Sequence, residues 1–264
     1  MDAALQRRVQ RYGWDKAAGF YEGFWQRQLK PSQDRLLAMA QLKNGEEVLD
    51  VACGTGLVTF RAAAAVGKSG SVLGTDISEK MILGSTKVVE SKRLSHVTFE
   101  RMDAEALNIP DDSFDVVLCS LGLMYVPEPL KALKEMRRIL KPGGRVVCSV
   151  WGQRDRCGWA ELFPIVDTPL ASEVCPLFFQ LGNKQALAMN LEASGFSAIQ
   201  SVRFDAVLHY DSADEACGAA FAGGPVALAY FKFDETARQE VHAEYLQSIK
   251  PFKSNNGYAV PGEF

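Results

Sequence analysis

The sequence lacks the features that mark disulfide-bonded, membrane-spanning and nucleic-acid-binding proteins. Its six cysteines form no C-x-x-C pair, so we expect buried thiols in a reducing compartment, with no disulfide and no metal. No stretch reaches the roughly 18 apolar residues of a membrane span, and no apolar region follows Arg7 and Arg8, so the default compartment is the cytoplasm. With 29 basic against 32 acidic residues, the chain has no broad basic surface for nucleic acid. A small-molecule partner is favoured.

The composition is that of an ordinary globular protein. Of the 264 residues, 47% are hydrophobic and 23% are charged, and neither repeats nor low-complexity tracts divide the chain. We therefore expect one globular domain in three parts: an N-terminal helical cap (1–44), a ligand-binding core (45–152) and substrate-side helices with the remaining sheet strands (153–264).

The middle of the chain alternates between short apolar runs and helical stretches, which predicts βαβ units and a mostly parallel, twisted α/β sheet with helices on both faces. The helices Leu57 to Val66 and Leu130 to Lys141 read as crossovers, the second ended by Pro142 and the two glycines that follow. The expected strands are Glu47 to Ala52, Ser71 to Asp76, His96 to Arg101, Phe114 to Ser120 and Gly144 to Trp151.

The flanking segments are less regular. Ser32 is a plausible N-cap for a helix from Gln33 to Leu42, and the aromatic-rich stretch Tyr12 to Leu29 is either a lid over a pocket or a helix docked by its apolar face. The expected C-terminal elements are helices near Gly158 to Asp167 and Lys184 to Ser194, a strand from Ala198 to His209, and a mostly helical stretch to Ile249.

A glycine-rich turn follows the first strand, in Val48-Leu-Asp-Val-Ala-Cys-Gly-Thr-Gly56. Gly54 and Gly56 would let the backbone approach a ligand, and the next helix N-terminus offers free N–H groups. Asp76, twenty residues later, can accept hydrogen bonds from ribose hydroxyls. The dinucleotide fingerprint requires Gly or Ala where Thr59 stands, so a nicotinamide-dependent oxidoreductase matches incompletely.

Four further motifs follow in order: Gly74-Thr-Asp-Ile-Ser78, Arg101-Met-Asp-Ala-Glu-Ala-Leu107, Phe114-Asp-Val-Val-Leu-Cys-Ser-Leu-Gly-Leu-Met-Tyr125 and Leu140-Lys-Pro-Gly-Gly144. With the glycine turn, they make the chain resemble the class I S-adenosylmethionine-dependent methyltransferases, above all the UbiE/COQ5-like small-molecule branch, over Tyr12 to Trp151. The resemblance implies a Rossmann-like class I methyltransferase fold with added C-terminal helices, and S-adenosyl-L-methionine as the cofactor.

The resemblance also implies residues at the methionine end of that cofactor. Asp50 would lie behind the methionine part, and Ser120 would lie near the transferred methyl. The lining of this end would come from the turn residues Ala52, Gly54, Thr55 and Gly56. Ala52 stands where the family has its first loop glycine.

At the adenosine end, the resemblance implies that Asp76, with Ile77 beside it, holds the ribose. Met81 would pack on the adenine. Asp103 would accept from the adenine amino group, and the Ala104 N–H would meet a ring nitrogen. Each of these residues alone also has an ordinary structural explanation, so the joint pattern carries the prediction.

The acceptor pocket is expected from the loop Leu121 to Pro127, the segment Trp159 to Phe179 and the N-terminal aromatic residues. Its substrate residues would be Tyr21, Met124, Tyr125 and Trp151. This apolar, aromatic composition suits a small or medium organic acceptor such as a quinol, phenol, amine, thiol or lipid-like precursor, although the same aromatic residues could simply form core. The motif of amino-methylating relatives on nucleic acid or glutamine is absent after the fourth strand.

Methyl transfer from a sulfonium is a direct in-line displacement, so positioning and desolvation are the protein's main tasks. If a base is needed, His209 and Tyr125 are weak candidates, with Glu128 and Tyr210 behind them. A non-catalytic cofactor-binding scaffold remains an alternative.

Family members of this type finish with an antiparallel strand beside the sixth strand. Two interpretations are open for this chain: the last strand is missing, or Ala206 to Tyr210 supplies it. A missing strand would leave a sheet edge that a second subunit could cover in a homodimer.

Overall fold

The central element of the computed structural model, which describes residues 2–170, 175 and 177–264, is a five-stranded parallel sheet. The strand order is β3-β2-β1-β4-β5. The strands β2 and β3 thus lie on one side of β1, and β4 and β5 lie on its other side, so the strand order reverses between β1 and β4. The Rossmann-like α/β fold expected from the sequence is confirmed. The strands are β1 (Glu47–Val51), β2 (Ser71–Asp76), β3 (Val97–Arg101), β4 (Phe114–Ser120) and β5 (Leu140–Ser149).

Helices cover both faces of this sheet, which explains why its strands are apolar on both sides. They are α1 (Ala3–Ala40), α2 (Thr59–Val66), α3 (Glu79–Lys92) and α4 (Pro129–Arg138). On one face Ala62 and Val66 of α2 pack with the C-terminal part of α1. On the other face Leu133 and Met136 of α4 are fully buried against the sheet.

The N-terminal segment forms the single 38-residue helix α1, so the expected helix start at Ser32 is wrong. Ser32 lies inside α1, and the true N-cap is Asp2, whose carboxylate accepts from the Leu5 N–H at 3.3 Å. The helix continues through Pro31 because residues on both sides of it, including Leu29 and Ser32, are buried. That packing outweighs the hydrogen bond that a proline cannot donate.

The boundary between α4 and β5 also differs from the expectation. The helix ends at Arg138, and Pro142 does not terminate it because Pro142 already lies within β5. Leu140 pairs with Phe114 at the start of β5, and a shift in register takes up the residues up to Gly144. The strand pairing therefore begins four residues earlier than the sequence pattern indicated.

The C-terminal part adds helices and a second sheet. Its elements are α5 (Leu162–Leu170), α6 (Ala186–Ala193), β6 (Asp205–Tyr210), α7 (Ala213–Cys217), α8 (Ala227–Tyr230), α9 (Glu235–Ser248), β7 (Lys253–Ser254) and β8 (Gly257–Glu263). The helices expected near 158–167 and 184–194 are α5 and α6 with shifted ends, and the expected strand 198–209 shortens to β6. Within the described ranges, no helix is long and apolar enough to cross a membrane.

Both interpretations of the final strand are wrong. The last residues themselves form β8, which pairs antiparallel with β6 from Asp205↔Glu263 to Tyr210↔Tyr258. The sequence pattern missed β8 because Gly257, Pro261 and Gly262 interrupt its apolar run. The end of β8 reaches the residues after β5, where the Gly152 N–H donates to the Glu263 carbonyl at 2.6 Å.

The buried face of α4 gives a test of this fold. Leu133→Ala removes a side chain with 0% exposure and should lower the free energy of unfolding by about 2–5 kcal/mol. Leu83→Ala, at a side chain that is 53% exposed, is the matched control and should change it by less than about 1 kcal/mol. Urea unfolding followed by circular dichroism measures both, and equal losses would contradict the assigned core.

Candidate functional site

A cleft of about 1190 Å³, partly open to solvent, lies at the carboxyl ends of the five parallel strands. Every strand of the central sheet is followed by residues that line it. These residues include Ala52 and Gly54 after β1, Asp76 and Ile77 at β2, Asp103 and Ala104 after β3, Ser120 and Leu121 at β4, and Trp151 after β5. Open α/β sheets bind their ligands at this edge, near the point where strand order reverses, so the cleft is the candidate site.

The turn after β1 has an unusual backbone. Ala52, Gly54 and Gly56 have φ angles of 56°, 56° and 87°, in the left-handed region that favours glycine. Ala52 carries a side chain in this conformation, and Gly122 leaves room for it, since a Cβ on Gly122 would lie only 2.3 Å from the Ala52 Cβ. A Cβ on Gly56 would lie 2.8 Å from the Phe60 ring. Close packing thus holds the turn in one shape.

The Asp76 carboxylate ties this turn to the end of β2. Its Oδ2 accepts from the Gly54 N–H at 2.9 Å, and its Oδ1 accepts from the Ser78 N–H at 2.8 Å. Burial raises the pKa of Asp76 to about 6, although these backbone hydrogen bonds oppose the rise. Each carboxylate oxygen has a second lone pair, so Asp76 retains acceptor capacity towards the cleft that it lines.

A second acid, Asp50, lies beneath the turn. It is 1% exposed, and its Oδ2 accepts from the Thr59 hydroxyl at 2.6 Å. Burial raises its pKa to about 7. Its Oδ1 and the Thr55 hydroxyl are buried without a hydrogen-bond partner among the described residues. Thr59, noted in the sequence only for departing from the dinucleotide fingerprint, is therefore the partner of Asp50.

The loop after β3 is fastened to the start of α1 through Arg7, which sequence reasoning missed. The Arg7 guanidinium pairs with Asp103 at 3.4 Å, with Glu128 at 2.9 Å and with Glu105. The Glu105 side chain is 1% exposed and accepts from the Glu128 N–H at 2.6 Å. This network fixes Asp103, and Ala104 next to it, against the start of α1, which forms one wall of the cleft.

Aromatic side chains form the rest of the cleft, and all four tryptophans of the chain line it. The Trp14 ring lies 5.1 Å from the Tyr125 ring and 5.8 Å from the Tyr21 ring, both edge to face. The Trp151 ring lies 4.8 Å from the Trp159 ring. The helix with the N-terminal aromatic residues is thus both docked and part of the cleft wall, so the two interpretations of that stretch do not exclude each other.

The structure brings most of the expected site residues together. Those that line the cleft are Tyr21, Ala52, Gly54, Asp76, Ile77, Met81, Asp103, Ala104, Ser120, Met124, Tyr125 and Trp151. Asp50, Thr55 and Gly56 lie behind the turn and do not line it. Of the expected acceptor segment Trp159 to Phe179, positions 171–174 and 176 lie outside the described residues, whereas Trp159, Leu162 and Phe178 line the cleft.

Several lining residues were missed by sequence reasoning. Arg7, Gln10 and Leu29 share the face of α1 that carries Trp14 and Trp25, so helical spacing could have found them. The others come from the C-terminal part and carry no local signal: Ala220, Gly224, Pro225 and Tyr245. Tyr210, expected only as a candidate base, also lines the cleft.

The candidate bases are poorly placed for that role. His209 is exposed on β6 and does not line the cleft, and its backbone N–H donates to the Gln28 side chain at 2.9 Å. Burial raises the pKa of Tyr125 and of Tyr210 well above the ordinary tyrosine value, so both phenols stay protonated at neutral pH. The Glu128 carboxylate is 54% exposed and pairs with Arg7.

Comparison with known proteins places the chain in a family. The model of the ubiE/COQ5 methyltransferase family matches residues 27–158. The chain belongs to the ubiE/COQ5 methyltransferase family. The demethylmenaquinone methyltransferase of Bacillus velezensis is 39% identical over 136 residues, which cover 52% of this chain and 58% of that protein. The Bacillus subtilis enzyme of the same name is 38% identical over 136 residues. The matched part thus spans little more than half the length of these curated relatives.

The fold extends beyond the family match. Haemonchus contortus phosphoethanolamine N-methyltransferase 2 superposes with a TM-score of 0.59 at 18% identity, covering 95% of this chain and 56% of that one. The YcgJ protein of Bacillus subtilis superposes with a TM-score of 0.57 at 18% identity, covering 88% and 94%. At such identities the likeness concerns the fold alone.

The buried Asp50 predicts a specific pH dependence of stability. Its pKa of about 7 in the folded protein exceeds the roughly 3.9 of an unfolded aspartate, so the folded state holds the proton more tightly. The resulting stability is complete below pH 4 and is lost as the pH rises towards 7. Asp50→Asn removes this dependence. When the pH is raised from 5 to 8, the free energy of unfolding of the variant should therefore increase by about 2 kcal/mol relative to that of the wild type.

Urea unfolding at both pH values measures this gain, with Asp155→Asn at an exposed acid as the control. Parallel pH profiles for the wild type and Asp50→Asn would contradict a buried, proton-binding Asp50.

Proposed function

We propose that this chain is an S-adenosylmethionine-dependent methyltransferase that acts on a small or medium-sized, largely apolar organic acceptor. The observation that carries the proposal is one continuous cleft that joins a glycine turn bound to Asp76 with a chamber of aromatic side chains. Family membership supports the same enzyme class.

The residues present fit the cofactor. S-adenosylmethionine supplies an electrophilic methyl group on a positively charged sulfur when it is bound. Two buried acids, Asp50 and Asp76, have raised pKa values in the free protein, and a nearby cation would favour their ionised forms. The unpartnered atoms Asp50 Oδ1 and Thr55 Oγ1 lie behind the turn at the methionine end. Because neither residue lines the cleft, we expect an ordered water behind the turn, rather than the cofactor itself, to complete the hydrogen bonding of these atoms.

Each end of the cofactor has suitable partners. We infer that Asp76 holds the ribose hydroxyls, with Ile77 beside it, and that Met81 and the Asp103–Ala104 loop bind the adenine. Ala52, Gly54 and Ser120 would then line the methionine end. The Arg7 network supports the adenine side because it holds Asp103 in place from the opposite wall.

The aromatic chamber determines which acceptors fit. Trp25, Trp151, Trp159 and Phe178 line this end, and none of them carries a charge. Such a lining excludes water and binds flat, apolar rings better than charged amines or nucleic acid. A quinol or phenol is the acceptor class that we propose, and a demethylmenaquinol is the first to test because the curated relatives bear that substrate in their names.

Among the described residues, none of the four candidate bases is suited to take a proton from this acceptor. Tyr125 stays protonated at neutral pH, so its hydroxyl is not available to remove a proton from the acceptor. We therefore infer that the protein acts by orienting the acceptor against the methyl group and by excluding water, and that an acidic acceptor loses its proton to solvent.

Replacement of Asp76 tests cofactor binding. Asp76→Ala removes the proposed ribose acceptor and the anchor of Gly54, so the affinity for S-adenosylhomocysteine should fall at least about 50-fold. Tryptophan fluorescence can follow the titration because all four tryptophans line the cleft. Asp155→Ala, with a thermal unfolding curve for each variant, is the control. Unchanged affinity in a folded Asp76→Ala protein would refute the proposed cofactor site.

Replacement of the candidate bases tests the mechanism. His209→Asn and Tyr125→Phe should each keep kcat within about threefold of the wild type, because a true general base contributes about 10²–10⁴-fold. The measurement is release of S-adenosylhomocysteine from the cofactor with a reduced short-chain demethylmenaquinol across pH 6 to 9. A loss of more than about 100-fold in either variant, with a changed pH profile, would show that the residue acts as a base.

A further inference from the structure

A second pocket of about 740 Å³ lies along β5, the terminal strand of the five-stranded sheet. Its walls are the second half of α1 from Ser32 to Met39, the segment Leu181 to Ala188, and the residues Ser201 to Phe204 before β6. It shares no described lining residue with the first cleft. No role follows for it from the proposed methyl transfer.

The charge of this pocket is one-sided. Arg35, Lys184 and Arg203 line it, and no described aspartate or glutamate side chain does. Arg203 is already engaged, because its guanidinium pairs with Glu263 and donates to the carbonyls of Gly182 at 2.9 Å and Lys184 at 2.7 Å. Arg203 therefore holds the loop that carries Lys184.

Arg35 and Lys184 are the other two basic residues that line the pocket. Neither forms an ion pair with any described residue, although the protein as a whole carries a net charge of −3. The Arg35 guanidinium lies 5.7 Å from the centre of the Phe204 ring, which supports its side chain without neutralising its charge. Both residues are exposed to solvent, and two such cations that line one concave pocket favour an anionic ligand.

An unsatisfied hydroxyl in the same pocket also indicates a ligand. Ser32 is 1% exposed, lines the pocket, and its Oγ has no hydrogen-bond partner in the described parts of the chain. A buried hydroxyl without a partner is rare in folded proteins, because leaving it unpaired costs free energy. A bound acceptor oxygen would remove that cost.

Much of the remaining lining is apolar, with Ser149, Gln185 and Ser201 as further polar residues. Leu36, Met39, Val150, Phe204 and Phe264 contribute apolar surface to the pocket. An inorganic anion alone would leave this surface uncovered. The pocket volume lies within the range of about 300–1000 Å³ that is usual for small-molecule sites.

We propose that this pocket binds a small organic anion, with a phosphate or carboxylate group held by Arg35, Lys184 and the Ser32 hydroxyl, and an apolar body packed on Phe204 and its neighbours. The site is separate from the cleft but adjoins it. Phe264 of this pocket stacks on Trp151 of the cleft at 4.2 Å, and the Ser149 hydroxyl lies 3.5 Å from that of Ser120.

Calorimetric titration with octyl phosphate, below its micelle concentration, tests the proposal. The test variant is Arg35→Gln/Lys184→Gln, and the charge-matched control is Lys68→Gln/Lys87→Gln, at two exposed lysines that line neither pocket. Octyl phosphate should bind the wild type and the control equally and the test variant about tenfold more weakly. Octanol and inorganic phosphate should each bind the wild type more weakly than octyl phosphate does.

Equal affinity of octyl phosphate for the test variant and the control would overturn the proposal, as would equal affinity of octanol and octyl phosphate for the wild type. Vesicles with and without an anionic phospholipid distinguish a lipid headgroup from a free anion. Binding to anionic vesicles without binding to monomeric octyl phosphate would make the surface a membrane contact and would also overturn it. Thermal unfolding establishes that each variant is folded. If the double variant does not fold, the single variant Arg35→Gln replaces it in the titration.

Discussion

The site depends on one interaction, the hydrogen bond from the Gly54 N–H to the buried carboxylate of Asp76. It joins the turn after the first strand to the end of the second strand. Without that bond, the left-handed backbone at Ala52 and Gly54 would lack its polar anchor, and Asp76 would be a buried acid with one less partner. Asp76 also lines the cleft, so the residue that shapes the turn is also the one we propose for binding a ligand.

One wall of the cleft is formed by α1, and polar contacts hold this helix at several places along its length. Arg7 binds the loop after β3, and the Asp15 carboxylate accepts from the Ser78 hydroxyl at 2.6 Å at the start of α3. Arg27 pairs with Asp211 and Glu215 beyond β6. The helix thus contacts the loop after β3, the start of α3 and the residues after β6. Its aromatic residues form cleft wall because these polar contacts fix the rotation of the helix.

The two ends of the cleft differ in their electrostatics. The end beside β1 and β2 holds two buried acids whose pKa values are raised by desolvation, so it favours a ligand that brings positive charge. At the aromatic end, the ionisable groups that line the cleft in the described part of the chain are tyrosines such as Tyr125 and Tyr210, which burial keeps neutral. This contrast suits a charged donor at one end and an apolar acceptor at the other. The cleft differs in this respect from the cationic pocket along β5, which favours an anionic ligand.

The amino-acid sequence alone determined the five parallel strands, the glycine turn, Asp76 and the family, because apolar periodicity and motif spacing are local properties of the chain. Packing decided the rest: α1 continues through Pro31, β8 forms despite its glycines and proline, and Arg7 and Tyr245 reach the site from distant positions. No local pattern contains such contacts, since the free energy that favours them arises only when segments far apart in the chain are buried together.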